Sequence, residues 1–364
     1  LTVDELRREP LYHNALLNVR EMHERKPVCE SFPLKVFVEP TQRCDLNCIM
    51  CGKSRRKYKL DMPMELFKKV ERALFPLASE VDFFIDGEAL LAKEAHTMLK
   101  VSKKYHFLPK IFTNAAYTRE ESIALLVDLG FFVNISIDGA TKETYEKIRY
   151  GARWERTIKN IEKYVYYREK TQNSRFHIRF AYTVSPLNLD EVLPLLKLAK
   201  EMGVNDIFLN NCDKNFLLRK YQLTKFPERA YAKIQEAKEF ADRHKIRFST
   251  QKKIGNIEIE KAHNWDDFSL PIDLYAFDFL EKYNPYNGKC YYPWTQTLVR
   301  SDGTVVSCCQ GLLKLGQLHE NNFAEIWNGK KYQSLRKRKS YYHCGSGLTR
   351  WRCQITHTSV WGNV

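Results

Sequence analysis

No run of about 18 apolar residues occurs in the chain, which excludes an ordinary membrane-crossing helix. Residues 1–9 are charged and lack the apolar centre of a secretory signal, so a reducing, cytoplasmic setting is expected. In that setting ten cysteines read as metal ligands before disulfides. No zinc-finger, RNA-recognition or KH signature accompanies the basic residues, although net charge is +15 and runs at 53–59 and 330–339 concentrate it. The excess reads as a solvated basic face. It permits an acidic partner, such as a phosphorylated substrate, but nucleic acid is not expected. With 364 residues, 44% hydrophobic and 28% charged, the chain suffices for one large domain or two ordinary ones and is not wholly disordered.

The stretch that organises the rest is 44–51. Cys44, Cys48 and Cys51 stand there at the spacing C-x3-C-x2-C, just after an apolar run at 34–38. Three thiolates gathered by a short loop suit a cubane iron–sulfur cluster, leaving one iron open to a small chelating molecule. A zinc loop is the alternative, although zinc ordinarily takes a fourth protein ligand at C-x2-C-type spacing.

Residues 1–30 read as a helical lead-in, and strands and helices then alternate. Strand-like runs fall at 34–38, 81–85, 110–113, 131–137, 176–183 and 206–209. Helical patterns fall at 63–75, 94–104, 119–129, 142–170 (with a break near Gly151) and 189–202. Six β–α units in succession predict a parallel sheet with right-handed crossovers, doubly wound or curled into a barrel. Either way ligands sit at the carboxyl ends of the strands, where the cysteine loop lies. After the second strand, Gly87 lets backbone approach a ligand closely and Glu88 offers a carboxylate to an ammonium. The fourth strand ends in Ser136 and Asp138; both can contact a ligand, and Asp138 can equally cap the next helix. The fifth strand alternates, with Arg175, His177 and Arg179 on one side and Phe176, Ile178 and Phe180 on the other. In a barrel the basic side points into the cavity, whereas in a half-exposed strand it is merely solvated. Cys212, after the sixth strand, can donate a hydrogen atom to a radical or serve as a small buried hydrophobe. The region 216–285, with a helical pattern at 230–244 and an aromatic-rich linker, is expected to help line the cavity.

The cysteine spacing resembles the signature of the radical S-adenosylmethionine (SAM) superfamily. The likeness implies an open, partial (β/α)6 barrel over 31–215 whose SAM-binding 4Fe-4S cluster is held by Cys44, Cys48 and Cys51. It also implies reductive cleavage of SAM to a 5′-deoxyadenosyl radical, with flavodoxin or ferredoxin as reductant. Asp86-Gly87-Glu88 is similar to the family's Gly-Gly-Glu, which contacts the SAM amino group, with Asp86 in place of the first glycine. Thr113-Asn114 is similar to a Thr-Asn-Gly, with Ala115 replacing the glycine. The segment Ser136 to Gly139 matches a Ser-hydrophobic-Asp-Gly. Arg179 is the expected partner of the SAM carboxylate.

From 286 the pattern changes. Asp302-Gly303 between strand-like runs signals a tight hairpin that brings Cys308 back near Cys290, and Cys344 and Cys353 follow. Four such cysteines can fill a second cluster or a structural zinc site. Cys290, the Gly303 to Cys308 spacing and the segment from Gly316 to Gly329 resemble the SPASM extension, or its shortened form, twitch. That likeness implies a small β-hairpin/helix domain at 286–364 with one auxiliary 4Fe-4S cluster on Cys290, Cys308, Cys344 and Cys353, for which Cys309 competes. The whole resemblance implies hydrogen abstraction from a small polar substrate, which is then oxidised or rearranged. Epimerisation through Cys212 and modification of a peptide are the alternatives. A cluster-bearing sensor without turnover is the non-enzymatic one, and the SAM-pocket segments argue against it.

Overall fold

The structure is a computed structural model and describes residue 5 and residues 8–51, 59–211, 223–250, 253–254, 257–258, 291–308 and 313–337. After a first helix, α1 (Pro10–His23), the chain runs β1 (Lys35–Val38), α2 (Met64–Leu74), β2 (Glu80–Phe83), α3 (Ala95–Lys100), β3 (Leu108–Thr113) and α4 (Glu120–Asp128). It continues through β4 (Phe132–Ser136), α5 (Lys142–Ile148), α6 (Trp154–Thr171), β5 (His177–Val184), α7 (Val192–Glu201), β6 (Asp206–Asn211), α8 (Pro227–Arg243) and β7 (Arg247–Thr250). A two-stranded piece, β8 (Lys253–Ile254) with β9 (Ile257–Glu258), stands apart. The last described elements are α9 (Tyr292–Thr295), β10 (Gln296–Val299), β11 (Thr304–Val306), β12 (Gly316–Gln317), α10 (Phe323–Trp327) and α11 (Lys330–Lys337).

One ten-stranded sheet carries the fold, in the order β12-β11-β10-β1-β2-β3-β4-β5-β6-β7. Strands β1 to β7 are parallel and follow one another without a reversal. Successive right-handed crossovers then place the helices on one face, which selects the singly wound barrel over a doubly wound sheet. The sheet is wider than six strands. The region after α8 adds β7 beside β6, and β10 adds itself in parallel to β1. The carboxyl-terminal hairpin therefore extends the barrel sheet and does not stand as a separate layer.

Register sorts the side chains. Val36, Val81, Ile111, Val133, Ile178 and Ile207 lie on the helix side and join one continuous core with Leu66, Val70, Leu126, Ile161 and Leu195. In α2 the buried Leu66, Phe67, Val70 and Leu74 recur at helical spacing, which is why that segment is amphipathic. The helical pattern at 142–170 breaks as expected, between α5 and α6, with Gly151 at φ +96° in the turn.

The inner face, away from the helices, is aromatic and charged. Phe37, Leu298 and Val306 form a second small core there. Toward the amino ends of the strands Lys35 pairs with Asp82 at 2.9 Å and with Glu80, and Lys110 reaches Glu80 at 2.6 Å. Burial alone would lower the Lys35 ammonium, but Asp82 and Glu80 outweigh it and the group is raised and charged. Lys35→Met removes the cation these two carboxylates share. The expected loss is about 3–5 kcal/mol of stability, the typical cost of breaking a buried pair on one side. Urea unfolding followed by circular dichroism should report it as a lower midpoint with an unchanged slope.

Candidate functional site

The cysteine loop leaves β1 through Glu39, Pro40 and Thr41 and is held from three sides. From β2, the N–H of Glu88 donates to the carbonyl of Arg43 at 2.7 Å. Gly87, at φ +95°, lies so close beneath that a Cβ would meet the Arg43 carbonyl at 2.6 Å and that of Thr41 at 2.7 Å. From the end of α5, the carbonyls of Ile148 and Tyr150 accept from the N–H groups of Ile49 and Asn47, both at 2.9 Å. From β3, Asn114 donates through Nδ2 to Asp45 at 2.6 Å and lies 3.9 Å from the Cys44 sulfur. Arg43 itself is clamped by Asp61, whose two oxygens accept at 2.9 and 2.6 Å.

Most of the expected cofactor residues thus meet at the carboxyl ends of β1 to β4, though not all as expected. Glu88 is buried; Oε2 accepts from the N–H of Asn114 at 2.7 Å, and Oε1 finds no hydrogen-bond partner. Burial pushes its carboxyl up to about 7. Asn114 shapes its own turn, accepting from Ala116, and Ala115 takes φ +53°, the left-handed region that favours glycine. Ser136 is half-buried at the end of β4, in register with Ala181.

Three side chains do something other than the sequence suggested. Thr113 is in register with Ile135 on the helix face, and its hydroxyl accepts from Ala115, so it builds the turn that presents Asn114. Asp138 is fully buried and neither caps α5, whose cap is Thr141, nor offers a free carboxylate. It accepts from the Thr183 N–H at 2.6 Å and pairs with Arg149 at 2.7 Å. Arg179 does lie on the inner face, yet it sits low on β5 and grips both oxygens of Asp206 at 2.9 Å each. Its guanidinium is stacked over Phe132, so the expected partner of a SAM carboxylate is here engaged in an internal ion pair.

Two further groups went unread in the sequence. Arg149 stands with Nη1 4.0 Å from the Cys48 sulfur. Arg300, at the tip of the β10–β11 hairpin, reaches Asp86 at 3.2 Å and Glu39 at 3.7 Å. Glu39 also accepts from the backbone and hydroxyl of Ser301, at 3.0 and 2.9 Å. Asp86, the departure from Gly-Gly-Glu, is therefore paired with a cation from the carboxyl-terminal hairpin. A charged residue in place of that glycine was the available signal that a counter-charge lay nearby.

The donor set fits an iron–sulfur cluster. Cys44 and Cys48 are half-buried and Cys51 exposed, and burial pushes the Cys44 thiol up to about 12, so metal is needed to hold the thiolate. No three His, Cys, Asp or Glu side chains among the described residues are placed to hold a metal ion together. Cluster thiolates bind different irons and need no common point. The buried Glu88 carboxylate beside the loop suits an ammonium. Cys308 is described and half-buried, after β11. Cys212, Cys290, Cys309, Cys344, Cys353 and residues 53–58 of the basic run lie outside the described residues.

The family model of the radical SAM superfamily matches residues 38–168, and that of the SPASM iron–sulfur cluster-binding domain matches 290–353. Among curated proteins, a tungsten-containing aldehyde ferredoxin oxidoreductase cofactor-modifying protein of Pyrococcus furiosus is 23% identical over 359 residues, 90% of this chain and 92% of the relative. The sporulation killing factor maturation protein SkfB of Bacillus subtilis is 23% identical over 84% of this chain and 67% of its own length. Among solved structures, SuiB of Streptococcus suis bound to S-adenosylmethionine superposes with a TM-score of 0.66 at 17% identity, covering 93% of this chain and 76% of SuiB. That last likeness shows the fold.

Gly87→Ala tests how the loop is held. A Cβ at that φ costs roughly 1–3 kcal/mol in backbone strain and pushes on two carbonyls of the cysteine loop. The expected result is a lower melting temperature together with reduced iron incorporation on anaerobic reconstitution, read by iron analysis. Normal iron loading would show that the loop tolerates the displacement.

Proposed function

Because the chain belongs to the radical SAM superfamily and carries a SPASM-type iron–sulfur cluster-binding domain, we propose that it is an enzyme that takes a hydrogen atom from a polar substrate on the inner face of the sheet and oxidises it. The observation that carries this reading is the placement of two cysteine-bearing segments at opposite ends of one sheet. Cys44, Cys48 and Cys51 follow β1 at its carboxyl end. β10 runs parallel to β1 and β11 antiparallel to β10, so Cys308 emerges toward the amino ends of the barrel strands. The four residues of β1 separate the two ends by roughly 13 Å, at ~3.3 Å per residue. A substrate on the inner face lies between them.

When bound to Cys44, Cys48 and Cys51, the cluster supplies with SAM the one-electron carbon–sulfur cleavage that starts radical chemistry. The chain's own residues bind and orient. The Glu88 carboxylate would accept from the SAM ammonium, Asn114 fixes Glu88 and Asp45 relative to the loop, and Ser136 would offer a hydroxyl at the end of β4. Cys308, with Cys290, Cys344 and Cys353, would hold the electron acceptor an oxidation requires.

A second reading is favoured by the names of two similar proteins. SkfB is a sporulation killing factor maturation protein, and SuiB has also been solved bound to the precursor peptide SuiA. On that reading the substrate is a segment of peptide, and the same residues carry the chemistry.

Anaerobic protein incubated with SAM and a ferredoxin- or flavodoxin-type reductant should form 5′-deoxyadenosine, and candidate substrates that stimulate it decide between small molecule and peptide. Replacing Cys44, Cys48 and Cys51 together by alanine should abolish the product; persistence would sink the radical reading. Oxidation predicts a product two hydrogens lighter. One deuterium from heavy water in a product of unchanged oxidation state, lost in Cys212→Ala, would instead establish epimerisation with Cys212 as the hydrogen donor. SAM binding should also weaken as pH falls through about 7, where Glu88 takes up a proton and loses its charge. Glu88→Gln should flatten that profile in an equilibrium binding titration.

A further inference from the structure

The geometry points to Arg149 as a positioning residue that raises the reduction potential of the cluster held by Cys44, Cys48 and Cys51. The inference rests on the reading of those cysteines as cluster ligands. Arg149 closes α5 and is buried. Nη1 lies 4.0 Å from the Cys48 sulfur, and Nη2 is held by Asp138 at 2.7 Å. Its Nε, also buried, has no hydrogen-bond partner, so the guanidinium keeps an unspent donor beside the cysteine loop.

The guanidinium is fixed rather than merely near. On one side of Arg149 the Ile148 carbonyl takes the Ile49 N–H, and on the other the Tyr150 carbonyl takes the Asn47 N–H. The loop around Cys48 and the backbone around Arg149 are therefore one unit. Asp138 is anchored in turn by the Thr183 N–H at 2.6 Å, and its own carbonyl accepts from Asn188 at 3.0 Å. The pair is neutral as a whole, but it is oriented, with Arg149 the member in reach of the Cys48 sulfur.

Reduction adds one negative charge to the cluster and its thiolates. A fixed positive end against one thiolate stabilises the reduced state more than the oxidised one, and burial limits screening by water. Hydrogen bonds to sulfur ligands act in the same direction. A lysine keeps the charge but not the fork that engages Asp138 and Cys48 together. Arg149 cannot lose its proton near neutral pH, so the effect is constant across the working range.

The test is an electron-paramagnetic-resonance redox titration of reconstituted protein, following the cluster signal that disappears in Cys48→Ala. Arg149→Gln should move its midpoint to a more negative potential, and Arg149→Lys should fall between Gln and wild type. Should Arg149→Gln fail to fold, the double variant Arg149→Gln with Asp138→Asn replaces the ion pair by a neutral hydrogen-bonded one. It too should titrate below wild type. A midpoint unchanged in a folded, iron-loaded neutral variant overturns the inference, because a purely structural pair would leave the potential where it was. If instead no signal depends on Cys48, the reading of the cysteine loop itself has failed.

Discussion

The turn after β2 passes so close beneath the cysteine loop that a β-carbon at Gly87 would stand 2.6 Å from one loop carbonyl and 2.7 Å from another. Much else follows from this close approach. It lets the Glu88 N–H reach Arg43, which brings a buried carboxylate to the side of the loop. It sets the height at which Asn114 meets both Glu88 and Asp45. The same loop is then strapped by the backbone at Ile148 and Tyr150. Three thiols on a mobile loop would not share a cluster well; held by backbone on two sides, they can. The site is made chiefly of main-chain hydrogen bonds, which fix position without depending on ionisation.

The charged groups inside the barrel answer a different constraint. Parallel strands in register put every second side chain on the inner face, and low on that face there is little water. Lysines and carboxylates survive there by pairing with one another. Lys35, Glu80, Asp82 and Lys110 form one such set, and Arg179 with Asp206 forms another. These pairs hold the amino ends of the strands, away from the cysteine loop at the carboxyl end of β1. The hairpin tip joins the two regions, because Arg300 lies between Glu39 at the end of β1 and Asp86 at the end of β2. The carboxyl-terminal segment thus braces the loops that follow β1 and β2.

The helices and the first six strands were legible because their signals are local. Apolar runs of strand length alternate with amphipathic stretches, and even the break near Gly151 announced itself through a glycine in a long helical pattern. Cys44, Cys48 and Cys51 were legible for the same reason, since their spacing lies within one loop. The hairpin of β10 and β11 was legible too, from Asp302-Gly303 between strand-like runs. Strand β7 and the place of β10 in the barrel sheet were not, because each four-residue strand pairs with a neighbour far away in the chain, β6 in one case and β1 in the other.

Alternation along the fifth strand correctly gave the face of Arg179 but not its height on the barrel, and height decides whether it meets a ligand or Asp206. Asp138 and Arg149 could not be matched from sequence, because their pairing is created by where α5 ends relative to β4. What the sequence alone determined was the periodicity of the barrel, the cysteine spacing and the strand-end motifs, all properties of a few neighbouring residues. Only the tertiary structure decided which charges are spent on each other and which remain for chemistry, because that depends on distances between segments far apart in the chain.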